Sequence, residues 1–173
     1  MGCDIHGVVE YEEKIKHGDG SAWWSAIAIV DLDRDYALFG ALAGVRIADI
    51  PHIEPRGLPS ALSWRAVDEA LDYIVSGEAE PGENEVSLAE VDKRLSWGCE
   101  RYGDNYIAQC DWHTFSYLNT AELETALQAE RDFCAVHWPE DAVPRPDIQA
   151  VLAMMKQLEA QGYSTRFVFW FDN

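Results

Sequence analysis

The chain has 173 residues, a mass of 19.5 kDa and 48% apolar residues, which suits one domain with its own core and excludes a disordered chain. Thirteen Lys plus Arg stand against 31 Asp plus Glu, a net charge of −18, so direct binding to nucleic acid is not expected. No apolar run reaches the roughly 18 residues of a membrane helix, and no membrane contact is expected.

The N-terminus lacks the basic and then apolar pattern of a secretory signal. The four cysteines, Cys3, Cys99, Cys110 and Cys134, form no CxxC pair and read as thiols. Together these features predict a cytoplasmic protein.

In chain order, residues 3–12 alternate as a strand. Cys3, Ile5, Gly7 and Val9 fall on one face, and Asp4, His6, Val8 and Glu10 on the other. A turn at 16–21 leads into a second strand, 22–32, expected to pair back as a hairpin. Asp33 is placed to cap a helix over 34–45, with Gly44 at its end. Pro51, Pro55, Gly57 and Pro59 make 46–62 an irregular loop. Ser63 caps a predicted helix over 64–75 that Gly77 terminates. Residues 78–85 are acidic and turn-rich. Ser87 to Glu90 is a capping-box pattern opening a helix to about residue 97. A strand or two lie within 105–118. Asn119 and Glu122 start a helix to about 133, and Pro139, Pro144 and Pro146 bracket a linker. The last helix covers about 147–161, and TRFVFWFDN ends the chain as a strand apolar on both faces, hence central in a sheet. Strands at both ends with helices between predict a single α+β domain, 1–173. Its mixed or antiparallel sheet contains the N- and C-terminal strands.

Two Asp-x-His units stand out. Asp4 and His6 share one side of a strand, as do Asp111 and His113 if their segment is extended. Four such groups are a plausible ligand set for a divalent metal ion, with His113 or His52 handling a proton. The plainer alternative is that Asp4 caps a turn and the imidazoles bond inside the fold. The rigid segment 51–59 presents Arg56 as an anion clamp, unless Arg56 merely pairs with one of the many acids. Asp172 joins a polar site only if the last strand ends beside one, and composition favours the plainer reading of a solvated chain end. The seven tryptophans read first as core, and the acidic stretch 78–92 as a solvated surface or, more sharply, as a mimic of DNA phosphates.

The pieces MGCDIH (1–6), RDYALF (34–39), LAGVR (42–46), EPRGLP (54–59), Asp111 with His113 ahead of SYL (116–118), and RFVFWFDN (166–173) are spread over nearly the whole chain. In these the chain resembles a group of small proteins of unknown function encoded by bacteriophages and prophages. Residues 64–105 match no part of that pattern and read as an insertion, helical by its caps. The resemblance implies a phage or prophage origin and a host-cytoplasm setting. It also implies that Asp4, His6, Asp111, His113, Arg56 and Asp172 belong to one polar pocket.

The expectation is therefore a phage accessory protein whose pocket holds a divalent metal through Asp4, His6, Asp111 and His113. Arg56 and Arg46 would bind a small phosphate-bearing ligand, and His113 and His52 would serve its hydrolysis. The alternatives are a binder that sequesters a nucleotide signal of host defence, and an acidic protein that occupies a host protein.

Overall fold

The computed structural model describes residues 4–15, 18, 20–71, 73–76, 82 and 85–172. Cys3, Asn173 and the acidic Glu78, Glu80 and Glu83 lie outside the described residues. The chain runs β1 (Ile5–Glu12), β2 (Trp24–Leu32), α1 (Tyr36–Ala43), α2 (Trp64–Ala70), β3 (Tyr73–Ser76), β4 (Glu85–Ser87), α3 (Leu88–Ser96), β5 (Arg101–Tyr102), β6 (Tyr106–Ile107), β7 (His113–Leu118), α4 (Thr120–His137), α5 (Pro146–Ala160) and β8 (Thr165–Phe171). A short 3₁₀ turn, Pro139–Asp141, joins α4 to the segment before α5.

Alternation along β1 divides the molecule into two sides. Ile5 and Val9 face one way, into a core built with α1, α4 and α5. Val8 faces the other, toward α2 and a smaller sheet. The main sheet is antiparallel, in the order β2-β1-β8-β7. The second has the order β4-β3-β6-β5 and is mixed, since β3 and β4 run parallel. This is a single-domain α+β fold. Its terminal strands β1 and β8 lie side by side, and β8, buried along its whole length, is central as its two apolar faces require. Phe167, Phe169 and Phe171 point to the helices, and Val168 and Trp170 to the other side.

Local signals place most helix ends. Ser63 caps α2 through Ala66 N–H, and Asn119 and Glu122 form a complete capping box on α4. Gly44 ends α1 at φ 68°, a conformation that favours glycine. Three expectations are corrected. The α1 cap is Asp35, which accepts from Leu38 N–H, not Asp33. Helix α2 stops at Ala70, because Ile74 and Val75 belong to β3, paired with β4 and, at Ile74, with β6. Ser87 precedes α3 without a side-chain capping bond. The segment 64–105 is thus a helix-and-sheet unit, not a purely helical one.

Cys99 and Cys110 are joined as a disulfide, with Cα atoms 4.1 Å apart, in the small cluster that holds Val86, Val91 and Ile107. This corrects the reading of four thiols and removes that argument for a reducing compartment. Among the described residues no helix is long and apolar enough to cross a membrane.

Candidate functional site

Sheet register assembles one cluster at the end of β1. His6 pairs across the sheet with Asp31 of β2 on one side and with Trp170 of β8 on the other, so all three side chains share a face. His6 Nδ1 donates to Asp31 Oδ1 at 2.8 Å, and Nε2 lies 3.3 Å from Asp172 Oδ2. The imidazole stacks near Trp112 and Trp170, with centroids at 5.8 and 6.4 Å. The main-chain N–H of Asp4 donates to Asp172 Oδ1 at 2.5 Å, which ties the start of the described chain to its end. The two indoles hold the ring plane, Asp31 fixes one nitrogen, and the other points at a half-buried carboxylate.

His113 lies at the same end of the sheet but on the helix side. It pairs with Phe171 and stacks on that ring, at 5.9 Å. A strand alternates, so His113 and Phe115 would ordinarily share a face. Here Phe115 packs on Trp170, on the opposite side. The cause is a bulge between His113 and Ser116, with Thr114 at φ 56°, a left-handed conformation rare for a β-branched residue. Thr114 Oγ1 shares a 2.7 Å hydrogen bond with His113 Nδ1, while Nε2 is buried without a hydrogen-bond partner. Burial pushes the pKa of His113 down and Arg46 adds to this, partly opposed by the backbone and carboxylate of Asp172. Arg46 is exposed and also left-handed, at φ 66°. Two strained non-glycine residues therefore flank one half-buried imidazole.

The other expected residues fall elsewhere. His52 Nδ1–H donates to Ile50 O at 2.8 Å, and the ring packs on Gly44 at the end of α1. Arg56 offers no empty fork. Both its terminal nitrogens meet Glu122, at 3.0 and 2.5 Å, over the ring of Tyr117. The Glu122 hydrogen bonds raise its pKa, and Arg56 in turn holds the Glu122 carboxyl below its ordinary value. This pair pins the 46–62 loop to the start of α4. Asp4 is exposed, and so is Asp111.

The structure therefore brings His6 and Asp172 together and sets His113 with Arg46 on the other side of Asp172. It does not bring His6 and His113 to one face. Among the described residues no group of three or more His, Cys, Asp and Glu is arranged to hold a metal. Asp31 was missed by sequence reasoning, since the connection 13–23 is too long to fix the hairpin register.

No protein-family model, curated protein or solved structure matches the chain.

Proposed function

We propose that the sheet end around His6 and Asp172 binds a small phosphate-bearing ligand together with a divalent cation, and hydrolyses it. The observation that carries this is the alignment of Asp31, His6 and Asp172. With Nδ1 donating to Asp31, a neutral His6 turns the lone pair of Nε2 toward a carboxylate oxygen 3.3 Å away. That approach is favourable only if a proton or a cation lies between them. Two donors each about 2.0–2.2 Å from one ion stand roughly 3–3.5 Å apart, so the spacing suits a shared cation. A carboxylate on the far nitrogen is the usual means of orienting a metal-ligating imidazole.

One imidazole and one carboxylate would suit a borderline ion such as Zn²⁺ or Mn²⁺, with its other positions left to water and ligand oxygens. Such an ion would supply an activated water and charge neutralisation. The chain's own groups do the rest. Arg46 offers positive charge at the flank of the same sheet end, whereas His113 lies on the opposite face with Nε2 buried and does not reach this ligand. Arg56 and His52 have no part in this reading. The resemblance to phage proteins supports an accessory role in a host cytoplasm.

The test is a thermal-shift and calorimetric titration with Mn²⁺, Mg²⁺ and Zn²⁺, followed by turnover of a chromogenic phosphodiester. The wild type is expected to bind one of these ions. His6→Ala and Asp172→Asn should abolish binding, and Asp31→Asn should weaken it about 10- to 100-fold. An equal response from wild type and His6→Ala would sink the proposal and favour a role as a sequestering or host-protein-binding factor.

A further inference from the structure

At the opposite end of the same sheet face lies an open groove of about 820 Å³, between the start of β2 and α2. Trp23, Trp24, Trp64 and Tyr106 line it with Asp68. Trp64 is 70% exposed and Trp23 48%, an unusual outlay of indole surface to water. Asp68 is exposed and forms no ion pair with a described residue.

Two of these indoles already hold guanidinium groups of the chain itself. The Arg166 guanidinium lies 3.7 Å from the Trp24 centroid, and that of Arg65 lies 5.1 Å from the Trp64 centroid. The negative faces of indole rings attract such planar cations, and the attraction grows where water is partly excluded. A carboxylate beside aromatic faces adds a bidentate partner for the same group. The chain's charge of −18 supplies a long-range field that draws cationic partners in.

We infer that this groove is a docking site for an arginine-bearing basic segment of a partner protein, with the arginine seated between Trp64 and Asp68. The site is separate from the His6 cluster, and its test is independent of any metal or hydrolysis. The open volume of about 820 Å³ is far more than a small free cation fills, which favours a segment. Its indole lining favours arginine over lysine, because a planar guanidinium both stacks and forks.

The experiment is a tryptophan-fluorescence and calorimetric titration of the intact protein. The titrants are a short peptide with one central arginine and flanking lysines, its citrulline counterpart, and choline. The arginine peptide is expected to saturate, the citrulline peptide to bind about tenfold more weakly, and choline to fail to saturate in the same range. Trp64→Ala should weaken the arginine peptide about tenfold while leaving net charge unchanged, and Asp68→Asn should weaken it several-fold. Trp64 is exposed, so a matching thermal melt will show that Trp64→Ala folds. Equal binding by wild type and Trp64→Ala would reduce the effect to diffuse charge attraction and overturn the inference. Equal binding of the citrulline peptide would overturn the cationic assignment, and tight choline binding would overturn the peptide assignment.

Discussion

Thr114 shows how one residue sets the chemistry available to another. A β-branched residue in the left-handed region costs about 1–2 kcal/mol, and the bulge that forces it turns His113 away from Phe115 and onto Phe171. What the conformation secures is the hydroxyl at His113 Nδ1. Two substitutions separate strain from hydrogen bonding. Thr114→Val keeps the branched shape and loses the hydroxyl, so it is expected to destabilise the protein by about 1–2 kcal/mol. Thr114→Asn tolerates the left-handed conformation and retains a polar side chain, so it should be at least as stable as the wild type. Urea denaturation of the three proteins checks both expectations. Either outcome for His113 could not have been read from the sequence, because strand alternation puts it on the wrong face.

Elements are held in register by a few buried contacts. Gly7 lies in β1 opposite Phe169, where an added Cβ would come within 2.5 Å of the Phe167 ring and 2.7 Å of Val168 O. Gly7→Ala therefore has to push strands apart, and a loss of about 2–3 kcal/mol in urea denaturation is expected. On the other face, Glu10 is fully buried. It accepts from Arg166 Nε at 2.6 Å and from the main-chain N–H of Ser63 at 2.7 Å, and Arg166 also reaches Ala61 O. This pair fastens the capping residue of α2 to two strands. Replacing Glu10 by Gln leaves a buried guanidinium without its counter-charge, so a loss of about 3–5 kcal/mol is expected by the same measurement. The elements themselves were largely legible. The hairpin, the capping box on α4 and the doubly apolar β8 each announce themselves through period or cap. The small sheet does not, because strands of two to four residues are too short to show a period. Helix α2 looked longer because Val67, Leu71 and Ile74 keep helical spacing after the backbone has turned into β3. At the site, His6 stood out by its Asp-x-His spacing, while Arg46 and Asp172 stood out only through the resemblance, Asp172 reading from composition as a solvated chain end. Asp31 and the split between His6 and His113 were not legible, since both depend on register and a bulge.

For the whole molecule, the excess of acid makes stability depend on pH in a way that one residue dominates. Glu130 of α4 is 6% exposed, and it meets Asp35, Asp147, Arg145 and Arg131 where α1, α4 and α5 converge. Arg145 is shared with Asp35, at 3.1 Å, and with Asp147, so its charge is already divided. Burial first, and the neighbouring carboxylate of Asp35 next, push the Glu130 pKa up to about 7 from an ordinary 4.5. The folded chain therefore binds a proton that the unfolded chain has released. That stabilising contribution is complete below pH 4.5 and is lost as pH rises through about 7. At 1.36 kcal/mol per pKa unit, and discounted for the water that still reaches the group, the loss is about 2 kcal/mol. The melting temperature of the wild type is thus expected to fall between pH 5 and pH 8. Glu130→Gln, neutral throughout, should remove most of that fall and be the more stable protein at pH 8. Added salt screens the diffuse repulsion of an acidic surface but leaves a buried carboxylate largely untouched, so the difference between the two proteins should persist at 0.5 M NaCl. Parallel pH profiles would show instead that the fall comes from the surface charge as a whole, and that Glu130 shares Arg145 without strain.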